Sequence, residues 1–441
     1  MSDGGILLAH GVGGRQDLPI PLSSAVTGAV VALLATFVIL ATAWRTSRFR
    51  GEQAGRPLPG WLARLLDAPA FRWGLRIVGL LAAGWLVVVL VAGPDSTADS
   101  PAPGTLYVVM WVLIPLASVL FGPIWRAVSP LRTIHLGLAR ATRMDPAEGP
   151  VRLPEWLGCW PAAGLLAGFV WLELVPRDRA TVPVVFLAFV VYAVLMLLGA
   201  ALFGSGWFAR ADPFEVYSSL AARLAPVGRR ADGVLVWRNP LNGLDSVPAA
   251  PGLAAVVLVL LGSTAYDSLT GAPAWVRRLQ DSESPALVGT LGLAGTIGVI
   301  ALAYVLAVQA TGRMTEERRR LPAQFAHSLL PIALGYMVAH YYSLGVLEGQ
   351  RTVILAMDPL GTGDHPLGLS TVDVNTSLVG ATTVVVLQVV AVVVGHILGA
   401  IAAHDRAVRL FPPQVAQLGQ LPLLLLMVGY TTLGLTLLFA A

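Results

Sequence analysis

Apolar runs of about 20 residues recur along the whole chain, and short polar, arginine-bearing connections separate them. Ten such runs stand out: 22–44, 75–93, 105–125, 159–176, 181–204, 251–271, 286–310, 323–346, 377–403 and 415–440. Each is long enough, as a helix, to cross the roughly 30 Å of hydrocarbon in a bilayer. The runs are continuous rather than alternating, which argues for helices and against a membrane β-barrel. The pattern therefore predicts an all-α, polytopic integral membrane protein of ten transmembrane helices. Its partner along most of its surface is the lipid bilayer.

Arginine placement sets the expected orientation. With the N-terminus outside, 22 of the 29 basic residues fall in the inner connections and six in the outer ones. That is the bias the positive-inside rule describes, and ten spans return the C-terminus to the outside as well. All basic residues are arginine, and with the abundance of Ala, Gly, Leu and Val this suggests a bacterial plasma-membrane protein. The pI of about 9.5 is explained by these loop arginines and does not point to nucleic acid.

Residues 1–441 read as a single transmembrane domain. Two long inner connections, 45–74 and 205–250, read as cytoplasmic interfacial segments, and 347–376 as an outer loop able to cover the outer mouth. No internal repeat is evident. Only 12% of residues are charged against 56% hydrophobic, so the chain cannot cover a water-facing surface. The one cysteine, Cys159, excludes an internal disulfide and any multi-cysteine metal site. The first 20 residues hold Asp3, Arg15 and Asp17 and lack the pattern of a cleavable signal peptide.

Ionisable groups inside the membrane are costly, and they usually face protein or trapped water. The eighth run contains "FAHSLLPIALGYMVAHYYS", in which Tyr336, His340 and Ser343 share a helical face in the outer half. His327 lies 13 residues before His340, about 20 Å nearer the inner surface. Gln388, His396 and His404 fall along the ninth run, with "HDR" at 404–406 read as an interfacial anchor. Asp267 closes the sixth run and Glu173 the fourth; His10, Asp364 and His365 belong to the outer segments. Outside the spans, the outer face carries eleven acidic residues against six arginines, which favours cations.

Two sharper readings follow. The first is an outer site in which His340, His10, His365 and Asp364 bind zinc, manganese or copper, with Asp267, Glu173 and Tyr336 as further ligands or catalytic groups. No spaced motif supports it, and the bland alternative is that His340 and Asp267 make structural contacts between helices. The second is a cofactor, haem b or a quinone, held near the inner side by His327 and His396. Its bland alternative is helix packing around Gly395 and Gly399. "HGVGG" and "DPLGTGD" lack the context of a nucleotide-binding loop.

The stretches "LAHGVGGRQDLPIP", "LLGSTAYDSL", "FAHSLLPIALGYMVAHYYS", "VVGHILGAIAAHDRA" and "GQLPLLLLMVGYT" resemble a group of polytopic bacterial membrane proteins labelled "fenitrothion hydrolase". The resemblance spans most of the chain. It implies a phosphotriester-hydrolysing membrane protein, a chemistry that a metal-activated water would serve. Beside that reading stand a transporter of a cation or small apolar solute, and a haem- or quinone-binding subunit of a membrane redox complex.

Overall fold

The computed structural model describes residues 21–311, 318–363, 373–412 and 418–440. Ten of its helices are long and apolar enough to cross a membrane. In chain order they are α1 (Leu22–Ala43), α2 (Pro69–Ala92), α3 (Ala102–Phe121), α4 (Trp160–Leu174) and α5 (Val182–Phe203). Then follow α6 (Leu253–Thr270), α7 (Pro285–Thr311), α8 (Leu321–Ala356), α9 (Ala381–Leu410) and α10 (Leu421–Ala440). Each matches one of the ten runs in the sequence.

The helices divide by what they touch. In α6, 78% of the apolar window is buried, and in α8 67%, whereas only 11% of α2 is. Outward-facing Val31, Leu81, Val91, Leu187, Leu291, Val299 and Leu425 are all more than half exposed. Water would not tolerate such a belt, whereas lipid solvates it. The chain is a multi-pass membrane protein with α6 and α8 at its centre.

The most extensively packed helix pair is α8 with α9. A Cβ on Gly395 would stand 2.6 Å from the Pro331 carbonyl oxygen, and one on Gly399 would stand 2.7 Å from that of Ser328. Only glycine permits backbones this near, and small residues drive helix association where lipid is the solvent. Pro331 lies inside α8 at this contact, where it removes one backbone N–H.

Helix α8 runs ten residues further than its apolar run predicts. "EGQRTVILA" carries polar groups and one glycine but no proline, and the helix continues to Ala356. Its end is anchored: Gln350 and Asn375 exchange two hydrogen bonds of 3.0 and 3.3 Å. The 347–376 segment thus begins as helix instead of loop.

The segment 205–250 also departs from expectation. A helix at Pro213–Ala221 is almost wholly buried among the spans, so much of the segment is core and not interface. Asp212 caps it, accepting from the backbone N–H groups of Phe214 and Glu215. The other Asp212 oxygen accepts from Trp125 Nε1 at 2.9 Å and Tyr192 Oη at 2.8 Å. Glu215 takes a two-pronged ion pair from Arg132, and Ser218 bonds Ser118 at 2.8 Å. After this helix the chain forms β2 (Val227–Arg229) and β3 (Leu235–Trp237). With β1 (Arg56–Pro57) they make an antiparallel sheet of order β1-β3-β2, which joins the two long connections. The amphipathic helix at Gly60–Asp67 has no buried residue and exposes Trp61 and Leu65 beside Arg64, as a surface-lying helix does.

Asp212 carries a pH signature. Burial, and next the neighbouring Glu215 carboxylate, push it up to about 6. A carboxyl raised on folding contributes stability below its unfolded value, and that contribution is lost as pH climbs through about 6. Between pH 5 and 7 the expected loss from this group is about 1 kcal/mol. Thermal unfolding in detergent across that range reads it. Asp212→Asn should remove this slope, and an unchanged slope in the variant would assign it to another group.

The "HDR" segment is a clamp at the arginine-rich end. Buried Asp405 accepts from Trp44 Nε1, Ser47 Oγ and the Arg48 backbone at 2.9, 2.7 and 2.6 Å. His404 bonds the Trp44 carbonyl and Gln420. Arg406 and Arg409 both reach Asp245. The anchor expected from sequence is thus a knot of protein–protein bonds tying α1, α9 and the 205–250 segment together.

Candidate functional site

At the end of the bundle opposite the clamp, three helices bring four polar side chains together. Glu173 sits on the last turn of α4 and Asp267 on the last turn of α6. His340 and Tyr341 face them from the middle of α8. His340 Nε2 donates to Asp267 Oδ2 at 2.7 Å. The Tyr341 hydroxyl lies 3.0 Å from that same Asp267 oxygen and 3.2 Å from Glu173 Oε1. Ser268 Oγ stands 3.4 Å from His340 Nδ1. Glu173 and Asp267 are only 8% and 4% exposed, and Glu173 Oε2 is buried with no hydrogen-bond partner among the described residues.

The proton count in this cluster is informative. A phenol has one O–H, so Tyr341 can donate to only one of the two carboxylates. Both contacts are hydrogen bonds only when one carboxyl itself carries a proton. The satisfied arrangement runs from a protonated Glu173 to the Tyr341 oxygen and from the Tyr341 hydroxyl to Asp267, with His340 donating to the same Asp267 oxygen. Two carboxylates coupled in this way share protons as a unit.

Above the cluster is a cavity of about 430 Å³. Glu173 and Asp267 line it, Tyr107, Val108 and Leu344 form walls, and Arg177, Arg179, Glu348 and Arg351 contribute charge. Arg351 donates to the Ala98 carbonyl at 2.9 Å, and Tyr107 to that of Arg179 at 2.9 Å. On the other side of the cluster lie aromatic rings. Trp111 stands edge-on to Tyr341 at 6.4 Å and packs on Tyr217 of the buried 213–221 helix at 5.6 Å. Trp111 lies in Thr105–Leu113, a π-helical stretch of α3, a form that recurs at functional sites.

Of the residues singled out from the sequence, the fold unites Glu173, Asp267 and His340. Tyr336 goes elsewhere: its hydroxyl donates to the Tyr430 carbonyl, its ring packs edge-on against His396 at 5.9 Å, and it does not line the cavity. His10, Asp364 and His365 lie outside the described residues. Among the described residues, no three His, Cys, Asp or Glu side chains are placed to hold a metal ion. His327 and His396 lie on neighbouring helices, but the Gly395–Pro331 and Gly399–Ser328 contacts set His327 about one turn nearer the clamp. His327 Nδ1 donates to the Gln324 carbonyl and His396 Nδ1 to that of Val392. His396 borders a pocket between α6, α7, α8 and α10. The sequence reading did not single out Tyr341 or Trp111. The signal for Tyr341 is its position beside His340 in "HYYS".

No protein-family model, curated protein or solved structure matches the chain. Fold and site together define a ten-helix membrane protein with a carboxyl–tyrosine–carboxylate–histidine cluster beneath a cavity.

Proposed function

We propose that the protein is a proton-coupled carrier of small anionic solutes. The observation that carries this reading is the single Tyr341 hydroxyl between Glu173 and Asp267, which requires a proton on one carboxyl for both bonds. Buried carboxyls that border a cavity inside a membrane bundle are the usual seat of proton relays. Arg177, Arg179 and Arg351 at the same cavity supply positive charge where an anion would enter. In this scheme Glu173 takes a proton from the cavity, Tyr341 passes the hydrogen-bond change to Asp267, and His340 keeps Asp267 compensated. The anion binds among the arginines and leaves with the proton when the aromatic barrier around Trp111 opens.

The test is flux. Purified protein is reconstituted in vesicles holding a pH-sensitive dye, and small carboxylates and phosphate monoesters are added outside. Solute-dependent acidification of the lumen is the expected result. Its absence for every solute, in vesicles shown to contain folded protein, rejects the carrier.

A second reading rests on the 2.7 Å Asp267–His340 contact, since a carboxylate that orients an imidazole is a common support for metal binding and hydrolysis. It is the reading that the resemblance to the "fenitrothion hydrolase" group implies. Phosphotriester turnover that depends on added zinc or manganese, and that is lost in His340→Ala, would favour it over the carrier.

A further inference from the structure

His396 borders a second cavity, of about 270 Å³, set in the middle of the apolar zone. Its walls come from α6, α7, α8 and α10, and Val299 and Leu425 at its border are 68% and 69% exposed, so it opens sideways to lipid. The lining is apolar except for His396, Tyr304 and Tyr430. Both tyrosine hydroxyls are already committed: Tyr304 donates to the Pro322 carbonyl at 2.8 Å and Tyr430 to that of Leu261 at 2.9 Å. His396 differs. It is fully buried, and its Nε2 has no hydrogen-bond partner among the described residues.

The identity of that atom's missing partner follows from the other nitrogen. Nδ1 lies 2.8 Å from the Val392 carbonyl, which can only accept, so Nδ1 holds the proton. In a neutral imidazole Nε2 is then a lone-pair acceptor. The lining contains no acid to balance a second proton. An acceptor buried without a donor is costly, and a ligand hydroxyl would relieve it. The Tyr430 ring, 6.2 Å from the imidazole, adds an aromatic wall that suits a flat head group.

We infer that this pocket binds the hydroquinone head of a reduced, lipid-soluble quinone, whose hydroxyl donates to His396 Nε2. The ligand arrives from the bilayer between α7 and α10 with its tail left in lipid. The oxidised quinone presents only acceptors to the same lone pair and is disfavoured. The site therefore reads the redox state of the ligand by hydrogen bonding alone. This inference is independent of the carrier reading.

The test uses the whole protein in nanodiscs and three probes: 2-decylhydroquinone kept reduced under argon, its dimethyl ether, and the parent 2-decylbenzoquinone. The hydroquinone should bind about tenfold tighter than either of the others, the ratio that one buried hydrogen bond supports. His396→Leu should abolish the preference. Ala303→Phe keeps the histidine but fills the pocket, and it should weaken binding of all three. Equal binding of the three probes to the native protein overturns the inference, as does a preference that survives in His396→Leu. If His396→Leu does not fold, Ala303→Phe decides: undiminished hydroquinone binding there also overturns it.

Discussion

Glu173→Gln is expected to leave the fold intact and eliminate proton-coupled flux. A glutamine amide mimics the protonated carboxyl: its N–H can donate to the Tyr341 oxygen, and Tyr341 can still donate to Asp267. The cluster is then frozen in its satisfied state, with no titratable proton on this side. Thermal stability in detergent should be equal to or above that of the native protein, while solute-driven acidification in vesicles falls to the protein-free level. Tyr341→Phe separates structure from function in the opposite sense. It strips Asp267 of a donor and the Glu173 carboxyl of its acceptor, and should cost about 1–3 kcal/mol. Native proton flux in Glu173→Gln would sink the proposed mechanism whatever its stability.

The largest stability effect is expected at Arg132. Its guanidinium holds Glu215, whose side chain is 1% exposed, through two hydrogen bonds, and it also lies over the Phe208 ring at 5.0 Å. Arg132→Ala strands a buried carboxylate on the 213–221 helix and should cost about 3–5 kcal/mol. Replacing both partners by apolar residues of similar size, Arg132→Met with Glu215→Leu, should recover most of that loss, because the desolvation of both charges disappears with them. Thermal unfolding of the two single variants and the double variant measures the coupling. Additive losses would mean that the two residues are not energetically paired.

The ten crossings were legible because hydrophobic run length is a local property, and lipid demands it of each helix separately. What escaped was everything that depends on partners far along the chain. Glu348, Gln350 and Arg351 read as loop by polarity, yet they extend α8 because no proline intervenes and Asn375 meets Gln350 from beyond the turn. Asp212 and Glu215 read as part of an interfacial segment, yet they are buried because Trp125 and Tyr192 answer one Asp212 oxygen, the Phe214 and Glu215 N–H groups the other, and Arg132 both oxygens of Glu215. Glu173, Asp267 and His340 were visible as costly groups in a membrane, on three separate helices. Tyr341 was not, since a rule of three- and four-residue spacing selects Tyr336 and Ser343 beside His340. His340 and Tyr341 instead reach one Asp267 oxygen from adjacent positions.

The clamp at the arginine-rich end imposes an order on biogenesis. Trp44 closes α1, the first of the described crossings to leave the ribosome, and its partner Asp405 follows 361 positions later. At 5–20 residues per second the wait is roughly 20 to 70 s. During that interval α1 sits in the bilayer without the α9 and α10 surfaces it finally packs against. Its own apolar face, free of charge from Leu22 to Ala43, is what lets it wait there unassisted. Assembly therefore stitches the first of the described helices to two that follow much later, and a chain cut short before Asp405 would leave α1 inserted but unfastened.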